Sequence, residues 1–337
     1  MRKKTKCFWD VECYRNYFYI RFECGKRIYE VRLFNDKLEL GDPKVVKSFI
    51  QKHTLIGFNI DNYDLPMLGA WLAGYNNQQL KDLSDSIISG GKPWWMLSAN
   101  HPDIKVPRVD GIDLIGPTPL QASLKTYACR IHVPDLQDLP ITPDAKINRS
   151  DLPLLEKYCG FDNSNSLAIY QDMLPDLKLR LAMSKDYGED FRSKSGPQIA
   201  EAVLKIRLAD VDVFPDKRST EVRPFQYKMP KFIKFKTDEL KAVKRAVKSA
   251  TFEVDKNGYA KLPDTLGRVI DFDGAKYKLG IGGLHSQEKH QAVLADGMLL
   301  GEWDVASMYP SIILGQGLYP DHIGPEFCAV YLSLIHI

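Results

Sequence analysis

No apolar run in this 337-residue chain approaches the roughly 18 to 20 residues that a membrane-spanning helix needs. The start, Met1 to Asp10, has positive charge but no signal-peptide core after it, so a cytoplasmic protein is expected. The six cysteines, at 7, 13, 24, 129, 159 and 328, include no C-x-x-C pair, which argues against a zinc knuckle and against a disulfide framework. They read as reduced packing residues. Internal repeats and low-complexity tracts are also absent. The composition is ordinary for a globular chain, 44% hydrophobic and 26% charged, which excludes disorder, collagen and coiled coil and leaves room for two or three domains.

The net charge of +3 is unevenly spread. Between Lys217 and Lys248 stand eleven Lys or Arg against three acids (Glu221, Asp238, Glu239), a local +8 that leaves −5 for the rest. Within this stretch cations alternate with Phe225, Tyr227, Phe232 and Phe235, a pattern suited to phosphates and unpaired bases.

Lys6 to Phe34 alternates apolar and polar residues in short runs broken at Arg15-Asn16 and Gly25-Lys26, which predicts three hairpin-linked strands. Pro43 to Lys52 reads as a helix, Thr54 to Phe58 as a buried strand, and Tyr63 to Ala73 as a helix despite Pro66. Ser84 to Asp110 lacks clear periodicity and reads as a loop or insertion. Asp151 and Pro153 predict a helix start running to about Cys159, followed by a second helix from Asn163 to about Ser184 with a break at Pro175. Thr237 is expected to cap a basic helix to about Ser249, and Asn257-Gly258 to turn a hairpin.

Three places could gather carboxylates. Asp10 and Glu12 lie two apart on one strand, so both side chains leave the same face, inside Phe8-Trp9-Asp10-Val11-Glu12 where unpaired charge is expensive. Asn59 to Pro66 sets Asp61 and Asp64 with two amides at a strand-to-helix junction. Tyr158 and Asp162, four apart, share one face if the helix persists. Taken singly, each also fits an exposed strand pair, a polar turn or a capped surface helix.

In order, these places resemble the three exonuclease motifs of family B DNA polymerases. D-x-E stands as Asp10-Val11-Glu12, N-x-x-N-(F/Y)-D-x-P as Asn59 to Pro66, and Y-x-x-x-D as Tyr158 to Asp162. The resemblance implies an α/β fold, a ribonuclease H-like exonuclease domain followed by an incomplete α+β polymerase palm. It further implies that Asp10, Glu12, Asp64 and Asp162 hold two divalent cations, Mg²⁺ or Mn²⁺, that Tyr158 orients the attacking water, and that Asn59 and Tyr63 contact a frayed strand end. Ser123-Leu124-Lys125-Thr126-Tyr127 resembles the family's S-L-x-x-hydrophobic element for the single-stranded 3′ end, although a helix cap at Ser123 explains the serine equally well.

Asp304-Val305-Ala306-Ser307-Met308-Tyr309-Pro310-Ser311-Ile312 resembles the D-x-x-S-(L/M)-Y-P-S-I motif of the family B palm. An acid at the end of a strand over Met298 to Trp303 would hold Mg²⁺, and the turn and helix start would face a nucleotide triphosphate. The resemblance implies that Asp304 is a catalytic metal ligand, that Ser307, Met308 and Tyr309 form the nucleotide site, and that Tyr309 excludes a 2′-hydroxyl. Gly282 and Gly283 resemble the Y-x-G-G element that touches template DNA, but four residues separate them from Tyr277.

The expected organisation is an exonuclease domain over 1–190, a basic helical connector over 191–250, the start of a palm over 251–331, and a non-native tail over 332–337. That tail, Leu332 to Ile337, looks like a translated transposase adapter, and the later palm carboxylate and fingers lysines of the family are not present, so a truncated reading frame is expected. The function implied is the amino-terminal part of a phage-like DNA polymerase with 3′-5′ proofreading. Expected partners are single-stranded and primer-template DNA, deoxyribonucleoside triphosphates and replication accessory proteins. A stand-alone 3′-5′ exonuclease and a non-catalytic single-strand DNA-binding remnant are the alternatives.

Overall fold

The computed structural model describes residues 4–119, 122–209, 223–255, 259–272, 274–287, 296–297, 299, 301, 303–320 and 323–335. The chain divides into two units, Met1–Arg207 and Leu208–Ile337. The first therefore extends past residue 190. Among the described residues, no helix is long and apolar enough to cross a membrane.

The first unit is mixed α/β. Strands β1 (Thr5–Tyr14), β2 (Tyr17–Cys24) and β3 (Arg27–Phe34) form the expected antiparallel meander, extended by an unanticipated β4 (Lys37–Leu40). Asn35 and Asp36 make that last turn with φ of 50° and 61°, the left-handed settings that a tight two-residue hairpin demands and that Asn and Asp tolerate best. Helix α1 (Pro43–Lys52) is capped by Asp42, whose carboxylate accepts from the Lys44 and Val45 amides, and leads into β5 (His53–Gly57). Then follow α2 (Asp64–Leu72), α3 (Asn77–Ile88), the short α4 (Trp94–Leu97), β6 (Asp110–Asp113), α5 (Leu124–Arg130), α6 (Leu152–Asp172), α7 (Leu174–Tyr187) and α8 (Gly196–Arg207). The sheet order is β4-β3-β2-β1-β5-β6, with β5 parallel to β1 and β6 parallel to β5.

The two-residue period of β1 divides the core. Cys7, Trp9, Val11 and Cys13 join α2 and α3 on one face, while Phe8 and Tyr14 enter separate apolar clusters that both include residues of α6 on the other. Asp10 and Glu12 lie between those two clusters, on the same face of the strand.

Several expectations change. Cys7 and Cys24, read as reduced, are joined by a disulfide, because the antiparallel register that pairs Phe8 with Glu23 sets them opposite each other with Cα atoms 4.3 Å apart. The region read as a loop from Ser84 holds the end of α3 and the whole of α4. The two helices expected around Asn163 are one uninterrupted α6 of 21 residues, and the break falls at Met173, with Pro175 in the first turn of α7. Asp151 precedes α6, but its carboxylate accepts from the Asn148 amide at 2.8 Å instead of capping the helix.

Asn16, 8% exposed, ties the irregular segment before α6 to the β1–β2 turn. Its Nδ2 donates to Ile147 O at 3.0 Å and to Asn35 Oδ1 at 2.9 Å, and its Oδ1 accepts from Ile147 N at 2.7 Å.

In the second unit β7 (Arg223–Gln226) pairs with β8 (Thr251–Val254) across the basic helix α9 (Asp238–Ser249) in sequence, so the expected connector and palm start share one sheet. Thr237 occupies the cap position of α9 without a side-chain cap bond. β8 pairs antiparallel with β9 (Ala260–Lys261); Asn257-Gly258 lie outside the described residues. A second antiparallel sheet comprises β10 (Val269–Phe272), β11 (Ala275–Gly280) and β12 (Gly283–Ser286). Helices α10 (Met308–Gln316) and α11 (Glu326–Ile335) follow; α11 continues through most of the expected tail, and 336–337 lie outside the described residues.

Candidate active site

Asp10 and Glu12 project from the centre of β1. Asp64, 2% exposed, opens α2 just after the β5 turn, and Asp162, 8% exposed, comes from the middle of α6. These four acids, expected to meet, act on one another electrostatically: Asp10 is raised by burial and by Asp162, and Glu12 by burial and by Asp10, Asp162 and Asp64. Asp64 is raised by burial and then by Asp10, and Asp162 by burial. Asp61, the competing acid of the second motif, is raised by burial, whereas Asp64 is also raised by Asp10. Asp64 is thus the member of that motif beside the β1 acids.

Tyr158 lies one helical turn before Asp162, and the continuity of α6 sets both on one side. Lys125 of α5 donates from Nζ to Tyr158 Oη at 2.6 Å and lies 4.6 Å from its ring centroid. Its charge lowers Asp10, Glu12 and Asp162, opposing burial. Cys159 Sγ donates to both Asp10 O and Asp10 Oδ2 at 3.7 Å, and ligand atoms of Asp10, Glu12 and Cys159 all lie within 4.8 Å of one another.

The second-motif loop is held from β6. Asp113, 3% exposed, accepts from Asn59 N at 2.7 Å and Ile115 N at 3.1 Å through Oδ1, and from Asp61 N at 3.0 Å through Oδ2. Burial pushes Asp113 up to about 6 against these donors. Sequence reasoning missed Asp113, Lys125 and Cys159 as members of the site. Lys125 and Cys159 lay inside the quoted motifs, and Asp113 ends a strand too short to announce itself.

The other expected contacts are placed as follows. Tyr63 packs against the β1 core cluster, and its hydroxyl shares a 2.8 Å hydrogen bond with Ser84 Oγ, so the hydroxyl is turned inward and not toward a strand end. Ser123 caps α5, with Oγ accepting from Thr126 N at 3.2 Å, and Leu124 packs against the Phe8 cluster. In the second unit Gly282 lies in the β11–β12 turn and Gly283 opens β12. Asp304 does not end a strand: Leu299, Gly301 and Trp303 are exposed and outside regular structure, and Met298, Leu300 and Glu302 lie outside the described residues. Its Oδ1 instead accepts from the Val305 amide at 2.9 Å. Ser307 precedes α10 at φ 52°, and Tyr309 is 66% exposed. Met308 begins α10, so the letters of this motif form a turn and a helix start, with no strand before them among the described residues.

Asp10, Glu12, Asp64 and Asp162 are the residues that could hold divalent cations. Asp64 Oδ1 is buried without a hydrogen-bond partner, and hard oxygen donors of this kind suit Mg²⁺ or Mn²⁺. No family model, curated protein or solved structure matches the chain.

Proposed function

We propose that the first unit is a 3′-5′ exonuclease of the kind found in family B DNA polymerases, with a ribonuclease H-like fold. The observation that carries this reading is that ligand atoms of Asp10 and Glu12 lie within 4.8 Å of each other on β1, while the charges of Asp64 from α2 and Asp162 from α6 act on them. The six-stranded mixed sheet, with two of the acids on an interior strand, supports it.

Two Mg²⁺ or Mn²⁺ ions, when bound, would supply an activated water and stabilise the leaving 3′ oxygen. The four carboxylates position that charge, Tyr158 Oη orients the attacking water, and Lys125 holds the Tyr158 hydroxyl while moderating the repulsion among the acids. Asn59 receives the strand end on the loop anchored by Asp113. Ser123 and Leu124 belong to the same reading as contacts to the single-stranded 3′ end.

The motif at Asp304 to Ile312 extends this proposal to a replicative family B polymerase acting on primer-template DNA and deoxyribonucleoside triphosphates, with Asp304 as a metal ligand and Ser307, Met308 and Tyr309 at the nucleotide. That extension rests on the sequence motif, together with Gly282 and Gly283 as template contacts.

The test is incubation of the purified chain with a single-stranded oligonucleotide and Mg²⁺, beside the Asp10→Ala, Glu12→Ala variant. Stepwise loss of nucleotides from the 3′ end only with the unmutated chain is expected. Binding without cutting by a folded chain would overturn the catalytic reading in favour of a single-strand binding protein.

A further inference from the structure

The third motif brings a thiol, as well as a phenol and an acid, to the carboxylates. Cys159 is fully buried, and its Sγ contacts Asp10 Oδ2. Cys159, Asp10 and Glu12 each offer one ligand atom within 4.8 Å of the other two. A second, independent feature marks the same place: Asp64 is 2% exposed with Oδ1 lacking any partner, and its charge acts on Glu12. Atoms bound to a shared Zn²⁺ at about 2.0 to 2.3 Å lie roughly 3.5 Å apart, so side-chain movements of about 1 Å would close the site.

We propose that Cys159, with Asp10 and Glu12, makes this centre a high-affinity site for a thiophilic divalent cation, Zn²⁺ or Cd²⁺, which displaces Mg²⁺ or Mn²⁺ and blocks hydrolysis. The inference deepens the nuclease reading but stands on the geometry of the three donors. Mg²⁺ prefers oxygen ligands and gains nothing from sulfur, whereas thiolate ligands select softer ions and Zn²⁺ binds mixed sulfur and oxygen sets. On binding, one sulfur–metal bond forms and the Sγ proton passes to water. The outcome is an inhibitory metal whose advantage over Mg²⁺ resides in a single sulfur atom.

The test uses the full chain with Cys129→Ser and Cys328→Ser, which removes two free thiols outside the first unit's core. Cd²⁺ is titrated without DNA while thiolate-to-metal charge-transfer absorbance is followed. One equivalent should give a saturable band, absent after Cys159→Ser and after Cys159→Ala. Both variants are checked by circular dichroism, so that the loss is read only on folded protein and the variant that retains the native spectrum decides. Asp10→Asn should weaken the titration at least tenfold while keeping the band. In parallel, inhibition of Mg²⁺-dependent cutting by Zn²⁺ should need at least tenfold more metal in the folded Cys159 variant. No band in the parent, or an unchanged band in that variant, overturns the proposal. Cutting without a Cys159-dependent band leaves the nuclease reading standing alone. A Cys159-dependent band in a chain that does not cut leaves the metal site standing without the nuclease.

Discussion

The Asp113 carboxylate accepts the Asn59 amide at 2.7 Å, and Asn59 itself holds φ at 65°, a left-handed setting that favours glycine or asparagine. The loop that delivers Asp64 is thus fixed by a residue far from it in sequence, through two main-chain amides, those of Asn59 and Asp61.

Asp113→Ala removes the shared acceptor of three amides, and a buried unpaired amide costs about 1 to 3 kcal/mol. A stability loss of roughly 3 kcal/mol is expected in urea unfolding. Asp113→Asn keeps one oxygen and should lose less. Equal stability of the alanine variant and the parent would show that the loop does not depend on this anchor.

The acids of the site have pKa values raised by burial, so the folded state binds more protons than the unfolded one. For Asp113 the window runs from its ordinary 3.8 to about 6, and across it stability should fall as pH rises. Glu39 and Asp190, held low by Arg149 and Arg192, act in the opposite direction up to their ordinary values of 4.5 and 3.8, so the decline should be clearest above about pH 5. Melting in chelator should show this decline, and Glu12→Gln or Asp162→Asn should flatten it while abolishing cutting. A rise in melting temperature between pH 5 and 7 in chelator would contradict the assignment. Mg²⁺ or Mn²⁺ should raise the melting temperature increasingly as pH rises, because the metal binds the deprotonated acids in competition with protons.

Tyr158→Phe keeps the ring and removes the oxygen bound by Lys125. If that hydroxyl orients the water, hydrolysis should fall by on the order of 10²-fold with strand affinity unchanged. Single-turnover cutting and a binding titration on the same oligonucleotide separate the two effects. A drop confined to affinity would make Tyr158 a binding residue.

A Cβ at Gly57 would sit 2.5 Å from Ile60 Cγ2 and 2.9 Å from Trp9 O. The backbone oxygen cannot yield cheaply, so Gly57→Ala should cost about 1 to 3 kcal/mol and displace the second-motif loop. Thermal unfolding gives the first value and the rate of cutting the second. A neutral substitution would mean that β5 can move away from β1 freely.

The β1–β3 meander was legible because alternation and turn residues agree over a long stretch. β6 was not, since Asp110-Gly111-Ile112-Asp113 carries one large apolar residue and owes its strand to pairing with β5. α6 was divided in sequence by Gly160 and Asn163, weak helix formers that tertiary contacts retain: a Cβ at Gly160 would lie 3.4 Å from the Arg21 guanidinium, and Asn163 Nδ2 donates to Arg21 O at 3.2 Å. The four acids could be singled out in sequence because the resemblance to the three family motifs names them. The supporting Asp113 and Lys125 could not, because their roles depend on which elements fold against each other.

Asn16 grips Ile147 by both its amide and its carbonyl five residues before α6 begins. A helix turns about 100° per residue, so a slip of one position in its starting phase would swing Asp162 a quarter turn or more away from Asp10. The side-chain amide at the β1–β2 turn therefore works as an indexing pin. It sets the rotational phase of α6, and with it which residue of that helix β1 meets.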